Sequence, residues 1–295
     1  MPRPQNLIAA LATALIFPSL ATAECITSGV ITRIDGRPGD VVISRNDRAG
    51  PPTLVPRPRV LEMICQGDVI RVQGASSLLL SLDGTGPVRV TRAAPYTVVR
   101  RAGTSTILGN ARREFNDQVM PDMKRMPWST RLRGRGDDFG FALPALSLAR
   151  QTLTAGRRQI LVRLLGGTGP FRVTLSQSGG GLVAQAQSAS RSVLLEQKTL
   201  PPGLYSLRIT DMGAVDVVEA VASVQVVAGP APLDPAFDAV TDPEVRSAMQ
   251  ATAMARHDLD HWAFEAEQVL NSAPALGLDR ARVYELIEMY GSAEP

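Results

Sequence analysis

Between Gly29 and Arg101, apolar and β-branched residues come in short runs separated by turn residues. Val41-Val42-Ile43, Val69-Ile70-Arg71-Val72, Leu78-Leu79-Leu80-Ser81-Leu82 and Val88-Arg89-Val90 alternate with Asp35-Gly36, Pro38-Gly39-Asp40, Gln66-Gly67-Asp68 and Asp83-Gly84. Runs of this length and spacing predict an antiparallel module, a small sandwich or barrel, over residues 24–102. Residues 103–146 break the rhythm. One amphipathic helix is predicted over 110–120, stopped by Pro121, and 127–140 reads as loop, so the stretch is expected to connect or cover. Strand patterning returns over 147–228, with apolar runs at 159–165, 171–175, 204–209 and 221–227. Gly229-Pro230-Ala231-Pro232 then opens a linker, 229–240.

Past the linker the apolar period lengthens to that of a helix. Helices are predicted over about 242–256, 260–271 and 279–290, the first opened by a capping box, Thr241-Asp242-Pro243-Glu244. In the second, Trp262, Ala266, Val269 and Leu270 form one stripe and Phe264 falls off it. In the third, Val283, Leu286, Ile287 and Tyr290 are spaced for a shared face. The fold class expected is mainly β: two small antiparallel modules plus a C-terminal three-helix unit over 241–295.

The first 23 residues stand apart. Arg3, an apolar run from Leu7 to Leu20 and the small-x-small triplet Ala21-Thr22-Ala23 form the pattern of an export signal cleaved before Glu24. No later segment is long and apolar enough to span a bilayer, so a periplasmic or secreted protein is expected. Export gives meaning to the two cysteines. In an oxidising compartment an even count favours a Cys25–Cys65 bridge, and no histidine lies near either one to make a nucleophilic thiol.

Composition narrows the chemistry. Of 295 residues 44% are hydrophobic, 20% charged and 4% aromatic, with two Cys and two His. That excludes a cysteine-built zinc module and a disulfide-dense miniprotein. Charge is uneven: residues 100–163 carry 13 basic and 5 acidic side chains, residues 211–295 carry 4 and 15. The basic middle has few aromatics to interleave, which argues against nucleic acid. Opposite blocks on one chain point instead to association of the acidic tail with a partner or with the basic middle. No cofactor is expected. Arg131, Arg133, Arg135, Trp262 and Phe264 are the interaction candidates.

Two further patterns bear on chemistry. His257 and His261 are four apart and would share a face of one continuous helix, the geometry of a two-imidazole metal site. The residue after the first His is Asp258, not the Glu of a metalloprotease helix, and either Asp258 or Asp260 can cap a new helix instead. An exported metal-binding protein or hydrolase using this pair is the alternative function, and a cell-wall or glycan-binding module is a third. The second pattern is an echo: Gly84-Thr85-Gly86-Pro87-Val88-Arg89-Val90-Thr91 recurs as Gly167-Thr168-Gly169-Pro170-Phe171-Arg172-Val173-Thr174. It reads as one hairpin connection built twice. A phosphate loop is disfavoured, because no Gly-Lys-Ser/Thr follows and no helix opens.

The segment Gly39-Asp40-Val41-Val42-Ile43-Ser44-Arg45, with Gln66-Gly67-Asp68-Val69-Ile70-Arg71-Val72 and 76–85, resembles the FecR-type periplasmic domain over about residues 29–91. The resemblance implies a periplasmic β module suited to protein contacts, without a catalytic residue set. Leu200-Pro201-Pro202-Gly203-Leu204-Tyr205, a Pro-Gly-x-Tyr turn entering an alternating strand, resembles immunoglobulin-like sandwiches and implies Tyr205 packed beneath the turn. The function expected is that of a non-enzymatic exported envelope protein, an interaction or signalling-adaptor module whose partner is another envelope protein.

Overall fold

The fold is that of a computed structural model, which describes residues 25, 27–45, 51–82, 87–99, 140–146, 150–215, 217–231, 233–257 and 262–292. The helix expected over 110–120, the three arginines Arg131, Arg133 and Arg135, the export segment and His261 lie outside the described residues.

The described residues of the N-terminal unit form eight strands: β1 (Thr27–Asp35), β2 (Val41–Arg45), β3 (Thr53–Pro56), β4 (Met63–Cys65), β5 (Val69–Val72), β6 (Ser77–Leu82), β7 (Val88–Val90) and β8 (Tyr96–Thr97). They form two antiparallel sheets, ordered β4-β1-β6-β7 and β3-β2-β5-β8. Ile31, Ile64, Leu78 and Leu80 of the first sheet share a core with Val41, Ile43, Ile70 and Val72 of the second. Alternation of the apolar runs therefore points each sheet's inner face at the other. Cys25 and Cys65 are joined by a disulfide across Cα atoms 5.3 Å apart. The Gly-Asp steps have local work. Asp68, with no exposed surface, accepts the Cys65 amide at 2.8 Å and closes the turn at Gly67 (φ +84°), while Asp40 accepts the Ser76 hydroxyl at 2.7 Å.

The second β region contributes β9 (Phe141–Ala142), β10 (Gln151–Thr154), β11 (Gly156–Arg158), β12 (Leu161–Arg163), β13 (Leu165–Gly166), β14 (Phe171–Gln177), β15 (Leu182–Ser188), β16 (Ser192–Leu194), β17 (Lys198–Leu200), β18 (Gly203–Asp211) and β19 (Val218–Val227). Its main sheet runs β10-β19-β18-β14-β15, antiparallel except for the parallel β10/β19 pair. Three two-stranded ladders, β11/β17, β12/β16 and β13/β9, complete it. The single strand expected over 159–165 is thus two short ones with different partners. Gly166 and Gly167 at φ +78° and +74° turn the chain out of the β13/β9 ladder. Tyr205 lies buried under its turn and donates its hydroxyl to the Pro201 carbonyl at 2.8 Å.

Three helices follow: α1 (Pro243–His257), α2 (Ala263–Ser272) and α3 (Arg280–Ser292). Within a residue or two at most ends these are the predicted spans. The N-cap differs. Asp242 rather than Thr241 accepts the first free amides, from Glu244 and Val245 at 3.0 and 3.1 Å, and Pro243 takes the first helical position. The stretch read as a linker also differs in content, since its 3-10 turn Pro235–Ala239 buries Phe237.

The helices and the second β region bury one continuous cluster. Phe171, Leu207 and Val224 of the sheet belong to it with Phe237, Met249, Phe264, Leu270 and Ile287, and Val30, Leu61 and Met63 of the N-terminal unit reach the same cluster. Polar contacts cross that boundary too: Ser81 donates to Asp242 at 2.8 Å, and the Asp279 amide donates to the Thr32 carbonyl at 2.9 Å.

Candidate functional site

β18 buries Tyr205, Leu207, Ile209 and Asp211 at every second position, so its last inward residue is a carboxylate. A buried carboxylate requires hydrogen-bond donors. Asp211, 2% exposed, has them in two loops at the end of the sheet. It accepts the amides of Thr168 at 2.8 Å, Gly169 at 3.0 Å and Gly213 at 3.1 Å, together with the Thr168 hydroxyl at 3.2 Å. Burial opposes its charge, yet these hydrogen bonds prevail and hold the carboxyl below its ordinary pKa.

The second copy of the Gly-Thr-Gly-Pro block is therefore an anion cradle already filled by the protein's own carboxylate, which is why it has no room for phosphate. It is not a hairpin connection either, since β13 pairs with β9 while β14 pairs with β15 and β18. Its counterpart does join a hairpin, β6 to β7, though residues 83–86 lie outside the described residues. Small residues are required at two points. A side chain at Gly167 would meet the Phe171 ring, and one at Gly213 would run into the Gly169 carbonyl oxygen.

On this fixed base sits an apolar loop. Met212 is tied by its amide to the Pro170 carbonyl at 2.9 Å, and beyond it Met212, Val215 and Val217 are 41%, 103% and 76% exposed. Three exposed apolar side chains between β18 and β19, whose ends Asp211 and Val218 are paired, have the arrangement of a recognition loop on a scaffold. Sequence reasoning missed it. The signal was present as Met212-Gly213-Ala214-Val215-Asp216-Val217, between two strongly patterned strands, but only the structure shows that these valines face outward.

Several ionisable groups of the helices are turned inward instead. Glu265 on α2 takes both terminal nitrogens of Arg158 at 2.8 and 3.0 Å and the amide and hydroxyl of Thr154 at 3.2 and 2.8 Å. Gln268 pairs with the Leu161 backbone, accepting its amide at 2.8 Å and donating to its carbonyl at 3.0 Å. Glu244 accepts Leu276, Leu278 and the Arg280 guanidinium at 2.7, 2.9 and 2.8 Å. A fourth group joins Glu267, Glu288, Arg163 and Tyr284. Arg163 approaches Glu288 at 3.2 Å and lies 4.0 Å over the Tyr284 ring. Burial, reinforced by Glu288, pushes Glu267 well up, and burial raises Glu288 to about 7 against the pull of Arg163. The cluster is buried where β12 meets α2 and α3.

Of the interaction candidates, Phe264 is corrected: it is 1% exposed and belongs to the core, because position 264 on α2 faces the sheet. Trp262 is half-buried against that core, and Ala266 and Leu270 of its predicted stripe are buried. His257 is the last residue of α1. Among the described residues no group of three His, Cys, Asp or Glu stands close enough to hold a metal. No described helix is long and apolar enough to cross a membrane.

No family model matches the chain, and no curated protein matches it. The FecR-type resemblance of residues 29–91 thus rests on its short motifs alone. Solved structures match short stretches. An engineered protein is similar over 30% of this chain at 16% identity, with a TM-score of 0.24, and this stretch spans 20% of that protein. The first immunoglobulin domain of Dpr1, solved bound to that of DIP-eta, is similar over 27% of this chain and 90% of its own length at 13% identity, TM-score 0.20. The titin M10–obscurin-like 1 immunoglobulin complex gives 28% and 91% at 24% identity, TM-score 0.19.

Proposed function

We propose that the protein is a non-enzymatic, exported interaction module, an adaptor of the cell envelope, in which β units over 24–102 and 147–228 and the helical unit present a recognition surface to another protein. The observation that carries this reading is the loop on the Asp211 base, where apolar side chains stand in solvent on a connection fixed at both ends. Its partner surface is expected to be an apolar depression, since Met212, Val215 and Val217 supply exposed apolar area and shape. Export is supported by the N-terminal pattern and by the Cys25–Cys65 bridge, which suits an oxidising compartment.

The test is capture from periplasmic extract by the chain from Glu24 onward, beside the double variant Val215→Ser, Val217→Ser. A specific protein retained by the parent and lost with the double variant supports the reading. Equal capture by both, with both folded by circular dichroism, overturns it. Removing the helices is a poor test, because they complete the core of the second β region.

A further inference from the structure

The two edges of the five-stranded sheet are treated differently. At the β10 edge the chain supplies a cover: α2 packs along it, Glu265 accepts the Thr154 amide at 3.2 Å, and Gln151 accepts the Phe264 amide at 3.2 Å. At the opposite edge, β15 pairs with β14 alone among the described strands. Soluble proteins commonly guard such edges with lysine, proline or an inward charge. β15 reads Leu182-Val183-Ala184-Gln185-Ala186-Gln187-Ser188 and has none of these. The uncharged stretch extends from Val173 to Ser190, eighteen residues in a chain that is 20% charged.

We infer that β15 is a homotypic docking edge: two copies of the chain pair their β15 strands antiparallel about a two-fold axis through Gln185, joining two five-stranded sheets into one. Three observations select a second copy as the occupant. The strand carries no charge, so two identical edges meet without repulsion, and a charged segment of another protein would find no counter-charge there. The register is self-complementary. With Gln185 opposite its own copy, Ala184 falls opposite Ala186, and both alanines lie on the inner side of the sheet, where Ala184 is buried and Ala186 partly so. Finally, the residue on the axis bears a primary amide, which donates and accepts and so pairs with itself. Gln185 is exposed on the outer face, opposite Thr174 of β14, where that amide is free to reach across. The β14/β15 bulge near Val183 limits the pairing to the part of the strand around the axis. Reversible association is the expected strength.

The experiment follows mass against concentration by sedimentation equilibrium for the chain from Glu24 onward, for Gln185→Lys and for Ser223→Lys. Ser223 is exposed on β19, away from the edge. The parent and Ser223→Lys are expected to pass from monomer to dimer as concentration rises from micromolar to millimolar, and Gln185→Lys to remain monomeric. Register is read separately. Under mild oxidation Gln185→Cys should give a covalent dimer, since opposite residues stand about 5 Å apart, and Gln187→Cys, opposite Val183, should not. A parent that is monomeric throughout, a Gln185→Lys variant that dimerises like the parent, or equal cross-linking at both positions overturns the inference.

Discussion

Asp211 illustrates how one side chain settles the geometry of two loops. Each amide it accepts is a charge-assisted hydrogen bond made out of water. Replacing Asp211 with Ala leaves the Thr168, Gly169 and Gly213 donors without a partner. A loss of about 3 kcal/mol or more in urea unfolding is expected, with hydrogen exchange accelerated at 167–170 and 212–215. Tyr205→Phe removes one neutral hydrogen bond to Pro201 and should cost about 1 kcal/mol. The Glu267 and Glu288 carboxyls act in the opposite sense. Because folding raises both, the folded state holds protons that the unfolded chain releases. For Glu288 the stabilisation is complete below about 4.5 and is lost as pH rises through about 7. The groups facing the pair are Arg163 on β12 and Tyr284 and Glu285 on α3. Urea midpoints should fall between pH 5 and pH 8, and Glu288→Gln should flatten that dependence. A midpoint that rises over the same range would show that other groups dominate.

Between elements, the bonds that matter join α2 to the short ladders of the second β region. Arg158→Ala strands Glu265 as an uncompensated buried charge, and a loss of 3–5 kcal/mol, about the range for breaking such pairs, is expected. Arg158→Ala combined with Glu265→Ala should lose much less than the sum of the single changes, because the orphaned carboxylate is gone. Existence and spans of the three helices were legible in the sequence from the apolar period and from Pro243. Their caps and docking were not: Thr241 matched the capping motif, but Asp242 both caps α1 and receives Ser81 from a strand 161 residues away, a contact no local pattern encodes. Phe264 lay off the predicted stripe because the stripe assumed one buried face, whereas α2 is wrapped on several sides and even Glu265, Glu267 and Gln268 are buried. The main strands were equally readable from alternation. The split at 163–165 was not, because partner choice for a short apolar run depends on distant residues. The loop at 212–217 escaped notice because exposure of a valine is a property of the assembled surface.

For the molecule as a whole, the charge asymmetry is resolved partly within the chain. Arg158 and Arg163, at the end of the basic middle, meet Glu265 and Glu288 of the acidic tail, so the two blocks serve as internal glue at these points. A chain ending at Pro232 should therefore lose the second β region's cooperative unfolding transition, not merely its helices, as near-ultraviolet circular dichroism and thermal melts would register. The same truncation leaves the core between the two N-terminal sheets formally complete. Residual melting of that unit, sensitive to reductant through Cys25–Cys65, is the expected remainder.

The common core of sheet and helices also has a consequence for biogenesis. A chain is synthesised from its N-terminus, so β10 to β19 emerge with their inner faces uncovered and wait for residues 263–292 to seal them. Arg158 and Arg163 are in place long before their carboxylate partners exist. A copy that stops short of α2 carries its apolar sheet face into solvent permanently and is marked for proteolysis or aggregation. The three helices thereby couple the folding of the second β region to residues that follow it in the chain, and its inner face stays open until they dock.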